Sequence, residues 1–271
     1  MRSNNPAFSR NEAFTRGGYA TFDVQTPSAD QLEDQYSMPS PVRERAMTLE
    51  DVVTRTGIMF AVLLATAVPT FWGLVTGAIG LGTGFLLTFG GMIAGLVLGL
   101  VISFSKKVRP GLIVTYAAIE GLFVGGISAI YTLRFGDGLV GQAVLGTLVA
   151  FGAMLVAYQT GLIRATGRFR KILIIATMGY LALGLINLVS VFVFNQPSIW
   201  FDTGILGIGL SLLGVTLASL FLVLDFDFVE QGIRNQLPQR YAWSAAFGLV
   251  VTLIWLYLEI LRLLAILRGS E

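Results

Sequence analysis

Hydrophobic positions in this chain do not alternate with polar ones; they run together. From Thr56 onward seven long apolar stretches follow one another, over residues 56–76, 83–104, 111–131, 138–160, 172–194, 204–228 and 241–267. Each exceeds the ~18 residues at which an apolar run reads as a membrane-crossing helix. Backbone groups in lipid must bond within their own structure, and runs this long without a period of two predict helices rather than a barrel. The pattern therefore predicts an all-α integral membrane protein, a seven-transmembrane helical bundle. As a helix the last stretch is ~40 Å long, more than the ~30 Å hydrocarbon core. It is expected to tilt, to protrude or to sit in the middle of the bundle.

The start of the chain has the opposite pattern. Residues 1–55 carry six Arg and eight Asp/Glu, with prolines at 6, 27, 39 and 41 and no apolar run long enough for a core. Residues 1–47 are expected to form a disordered polar tail on the cytosolic side, and 48–271 the membrane domain. No secretory signal pattern is expected there. Thr48-Leu49-Glu50-Asp51 reads as a capping box, with acids at the positive end of a helix. The first helix is expected to begin at that point.

Basic residues in the loops set the orientation. Lys106, Lys107, Arg109, Arg164, Arg168, Arg170, Lys171, Arg234 and Arg240 fall in three alternate loops, against Arg134 alone in the others. Nine against one places the N-terminus in the cytosol, and seven spans then put the C-terminus outside. Arg262 and Arg268 lie towards that outer end, against the rule, so a re-entrant last span is the alternative.

Composition narrows the function classes. Hydrophobic residues are 55% and charged residues 13%, about half the charged share of a soluble domain. A soluble enzyme, a nucleic-acid-binding domain and a disordered protein are excluded as the main body. Lipid is the expected surroundings, and a net charge of +2 implies no nucleic-acid partner. Cys and His are both absent, which removes thiolate chemistry, the usual zinc ligands and the usual proton switch. No enzyme activity and no bound cofactor are expected. The 32 glycines include two stripes spaced by four, Gly91-Gly95-Gly99 and Gly121-Gly125, which predict close helix packing rather than chemistry.

Ionisable groups inside the spans carry most of the functional information, because burying one in lipid costs roughly 2.5–3.5 kcal/mol. Glu120 lies mid-span, ~14 Å in from Gly111. Asp225 and Asp227 lie near the inner end of the sixth span, and Glu259 ~12 Å from the outer end of the seventh. Each has a plainer reading. Asp227 sits in interfacial water, Glu259 and Arg262 form a neutralising i,i+3 pair, Glu120 is protonated and hydrogen-bonded, and Arg262 snorkels to the headgroups. Read together, acids strung along a helical bundle suit a cation or proton path.

Ser219-Leu220-Phe221-Leu222-Val223-Leu224-Asp225, Leu256-Tyr257-Leu258-Glu259-Ile260-Leu261 and Glu120-Gly121-Leu122 resemble segments of the transmembrane Bax inhibitor motif (Bax inhibitor-one, YccA-like) family, in a bacterial branch, over about residues 50–268. The resemblance implies a bundle with the last helix central. It also implies a pH-sensitive calcium leak in a bacterial plasma membrane, gated by carboxylates on the last two spans, at Asp225 and Glu259. These two would hold calcium weakly, as a passing ion. Asp225 has Glu259 or Glu120 as its expected partner, and candidates for a latching base are Arg262, Lys106 and Lys107. Two acids brought close titrate as a coupled unit, which supplies a proton sensor without histidine. Two other functions remain open: a regulator that binds another membrane protein such as a protease, and a proton-coupled carrier of a small solute.

Overall fold

The first helix begins where its capping residues stand. In the structure, a computed structural model that describes residues 28, 45–202 and 204–269, Thr48 Oγ1 accepts from the Asp51 N–H at 3.2 Å and the Asp51 carboxylate accepts from the Thr48 N–H at 3.1 Å. Two N–H groups that the helix itself leaves unpaired are satisfied this way. Thr48→Ala should cost about 1 kcal/mol, which a thermal melt in detergent would read as a fall of about 2–4 °C.

Seven helices follow: α1 Leu49–Val75, α2 Leu81–Phe104, α3 Pro110–Phe135, α4 Leu139–Gln159, α5 Gly167–Phe194, α6 Ile205–Arg234 and α7 Tyr241–Gly269. All seven are long and apolar enough to cross a membrane. Their centres match the seven expected spans. Several ends run further, most of all the start of α1 and the end of α6, because a helix continues beyond the apolar slab into residues that hydropathy alone does not count, while α4 is one residue shorter at each end. A short 3-10 turn, Ile199–Phe201, stands in the α5–α6 connection. The expected tail falls outside the described residues up to position 44, apart from Ser28.

α7 is the axis. Of its most apolar stretch 67% is buried, against 50% for α3 and 11% for α5. Residues of α7 belong to three of the four apolar clusters: Leu249 and Leu253 pack with α6, Val250 and Ile254 with α1 and α3, and Leu261 and Ala265 with α3 and α4. A helix surrounded on all sides must be largely apolar all round, and α7 is, with Glu259 and Arg262 as its buried charged exceptions. It is also unbroken from Tyr241 to Gly269, so the re-entrant alternative does not form. α5 is peripheral and reaches the bundle through Leu173 and Tyr180 against Leu217 of α6.

The glycine stripes pack helices together as expected. Gly121 and Gly125 put α3 directly on the α1 backbone: a Cβ on either would overlap the main chain of Leu63 or Ala67. Gly91 does the same for α2 against α3, where a Cβ would stand 3.2 Å from the Phe123 nitrogen.

Packing starts before the first helix. Met47 is 2% exposed and sits beside Gly232 of α6. Its N–H donates to the Leu237 carbonyl at 2.8 Å, and the Gln239 N–H donates to the Arg45 carbonyl at 2.8 Å. Residues 45–47 thus form a short antiparallel strap across the α6–α7 connection, with Ala46 bridged to Pro238.

Candidate functional site

α6 and α7 run antiparallel, and their shared face places each acid opposite a glycine. Asp225 of α6 lies against Gly248 of α7, where a Cβ would stand 3.4 Å from Asp225 Oδ1. Glu259 of α7 lies against Gly214 of α6, where a Cβ would intrude on the carboxylate at 2.5 Å. Asp225 and Gly214 are eleven residues apart, as are Gly248 and Glu259. The two positions are therefore about 16 Å apart along the helices. A carboxylate fits between closely packed helices only where the facing residue lacks a side chain. Glu120 of α3 obeys the same rule against Gly95 of α2, whose Cβ would stand 2.7 Å from Glu120 Oε1.

The outer position is a closed polar network. Arg262 Nη2 lies 2.7 Å from Glu259 Oε2, and both side chains are less than a tenth exposed. Tyr180 of α5 donates its hydroxyl to Glu259 Oε1 at 2.7 Å and accepts from Arg262 Nη2 at 2.8 Å. Trp255 Nε1 donates to Glu259 Oε1 at 3.1 Å, and Arg262 Nε donates to Ser211 Oγ at 3.1 Å. The Trp200 ring covers the guanidinium at 5.1 Å. The guanidinium balances the carboxylate, although Glu259 Oε2 meets Arg262 as an ion pair and not through a well-aligned hydrogen bond.

The inner position differs. Asp225 has no ion pair among the described residues, and its Oδ2 is buried without a hydrogen-bond partner. The Thr252 hydroxyl of α7 is within reach of the carboxylate. Asp227, two residues on, points another way. It pairs with Arg170 of α5 at 2.9 Å and accepts from Gln231 at 2.5 Å near the basic end of the bundle. Glu120 is buried with Tyr116, one turn earlier on α3, as its hydroxyl neighbour.

The structure therefore does not bring the candidate residues together as one site. Glu259 and Asp225 occupy separate levels because the α6–α7 register pairs each with a glycine. Glu120 lies against α2 and does not face Asp225. Lys106 and Lys107 are exposed in the α2–α3 loop and pair with none of the interior acids. Arg262 is the base that the interior uses, and it holds Glu259 rather than Asp225. Among the described residues no three acids converge as a metal site would require.

A family model described as Bax inhibitor 1 like matches residues 5–269. The chain belongs to the Bax inhibitor 1-like family. Among curated proteins nothing matches the chain. The match starts well inside the polar N-terminal segment, further forward than the resemblance over residues 50–268 reached. Recognisable residues crowd the membrane spans, and a polar segment offers few of them to the eye.

Several groups of this Bax inhibitor 1-like protein carried no readable signal. Tyr180 and Ser211 join Arg262 from 82 and 51 positions away. Asp51 reads in sequence as a cap, yet it is also the hub of the end of the bundle where α1 begins, accepting from Arg45 at 2.8 Å, Arg55 at 3.1 Å and Gln239 at 2.8 Å. Trp255 was legible in principle, since it stands one helical turn from Glu259 on the same face.

Proposed function

We propose that this protein is a pH-sensitive leak for calcium or a similar cation, and that Asp225 is its ion-attracting and proton-sensing group. One observation carries the reading: Asp225, half-buried on the central helix pair with its Oδ2 enclosed, has no basic partner among the described residues, whereas Glu259 and Asp227 are each held by an arginine. An ionised acid inside a bundle is costly, and a passing cation relieves that cost. Calcium prefers six to eight oxygens. One carboxylate, the Thr252 hydroxyl, backbone carbonyls and water would hold it weakly, as a leak needs.

Taking up a proton removes the negative charge that attracts the ion. Flux is therefore expected to be greater where Asp225 is ionised and to fall on acidification. The closed pair of Glu259 and Arg262 keeps its net charge and does not contribute to that response. Glu120, also without a base among the described residues, is a second station at a similar depth beside α2. The setting proposed is a bacterial plasma membrane, with the basic loops and the N-terminus on the cytosolic side.

Purified protein in liposomes loaded with a calcium dye tests this. Asp225→Asn should abolish most of the calcium flux and flatten its pH dependence, while Asp227→Asn should leave both nearly unchanged. Unaltered flux in Asp225→Asn would remove the assignment. Flux driven by a pH gradient without calcium would point instead to proton-coupled solute transport.

A further inference from the structure

At the basic end of the bundle a cavity of about 340 Å³ opens between the start of α1 and the start of α7. It is distinct from the carboxylates of the α6–α7 face. Arg45, Glu50, Asp51, Thr54, Arg55, Ile58, Gln239 and Trp243 line it. Its wall is graded. Glu50, Thr54 and Ile58 follow one another at intervals of four on one face of α1, so the lining passes from charged to apolar along the helix. Trp243 lies opposite on α7, with the Arg55 guanidinium 5.6 Å from its ring centre. An aromatic ring with one polar edge is the side chain favoured at the level of lipid headgroups.

The charges in the wall are unequally used. Asp51 is saturated: its carboxylate accepts from Arg45, Arg55, Gln239 and Thr48. The arginines are not. Arg55 is 15% exposed and spends Nη1 on Asp51, but its Nε is buried with no hydrogen-bond partner. Arg45 uses one Nη2 contact on Asp51 and leaves its side chain 65% exposed. An oxyanion that entered the cavity would meet the exposed Arg45 guanidinium and the Arg55 side chain in the wall, and a guanidinium fork suits phosphate. The N-terminal ends of α1 and α7 add partial positive charge on the same side. Glu50 is exposed on the rim and suits an ammonium group.

We propose that this cavity binds the headgroup of an amine-bearing phospholipid, with the phosphate at Arg45 and Arg55, the amine at Glu50 and an acyl chain leaving past Ile58 and Trp243. The grading from ionic to apolar along α1 assigns a lipid rather than a free phosphate, because a soluble anion has no use for the Ile58 end. Ile58 is 42% exposed, on the side where the chain of such a lipid would leave. The bound lipid would brace the start of α1 against α7, next to the strap formed by residues 45–47.

Native mass spectrometry of the full chain in detergent tests the assignment, with phosphatidylethanolamine, diacylglycerol and soluble phosphoethanolamine as probes. One phosphatidylethanolamine should bind per chain, about tenfold more tightly than diacylglycerol, since one charge-assisted hydrogen bond supplies about that factor. Arg55→Lys keeps the charge and removes the guanidinium fork, and Arg45→Gln removes an exposed charge at little risk to folding. Each should weaken the lipid by about tenfold, while Arg168→Gln on a different loop should not. Diacylglycerol binding as well as phosphatidylethanolamine, or both arginine variants binding like the parent protein, would overturn the site. Phosphoethanolamine binding as tightly as the lipid would overturn its assignment to a lipid.

Discussion

Replacing Arg262 with Met should lower the stability of the bundle by about 3–5 kcal/mol, the usual consequence of removing one partner of a buried ion pair. The change strands the Glu259 carboxyl among Tyr180, Trp255 and Gly214 without the guanidinium that pairs with it. It also takes the acceptor role from Ser211 and one hydrogen bond from Tyr180. The double change Glu259→Met with Arg262→Met should lose far less, because two apolar side chains of similar length can fill the volume without a charge to bury. A double-mutant cycle on thermal unfolding in detergent measures the difference. Equal losses in the single and the double variant would mean that the pair contributes shape rather than charge.

Gly125→Ala should be nearly as damaging, although it adds one methyl group. The new Cβ would fall on the Ala67 carbonyl and Cα of α1. Backbone atoms of a helix cannot rotate aside as a side chain can, so α1 and α3 must separate. Overpacking of this kind costs about 1–3 kcal/mol or more, and it strikes the most intimate helix pair of the fold. Gly90→Ala supplies the control. It lies on α2 with nothing within 4 Å of its added Cβ, so its effect should stay within about 0.5 kcal/mol. Comparable destabilisation in the two variants would show that lost glycine flexibility, and not close approach, decides the outcome.

The second prediction turns on glycine, and glycine marks where sequence reading stops. The four-residue spacing of Gly121 and Gly125 predicts a packing face, and α1 occupies it. Nothing in the spacing names α1 as the occupant. Gly95, Gly214 and Gly248 are harder still. Each makes room for a carboxylate on a neighbouring helix, at 2.7, 2.5 and 3.4 Å from its added Cβ. That pairing depends on the register of two helices, and register is settled by every contact along them.

The candidate acids divide in the same way. Their presence inside apolar spans was legible, because the cost of a charge in lipid makes any such residue conspicuous. The Glu259–Arg262 pair was legible as an i,i+3 spacing. Two features were not. Tyr180 arrives from α5 to complete the outer network, and Asp227 turns towards Arg170 while Asp225, two residues away, turns towards α7. Residues two apart on a helix face different neighbours, but which neighbour stands on which side follows from helix order alone.

Seven spans, their helical character, the capped start at Thr48 and the family all follow from the linear order of residues, because lipid leaves the backbone little choice. What tertiary structure decided is which acid keeps a base and which does not. Helix register places Arg262 on Glu259, Arg170 on Asp227 and, among the described residues, no base on Asp225, which faces Gly248 and Thr252. Charge neutralisation acts over a few ångströms between residues far apart in the chain, so it is a property of the packed bundle and not of any single span.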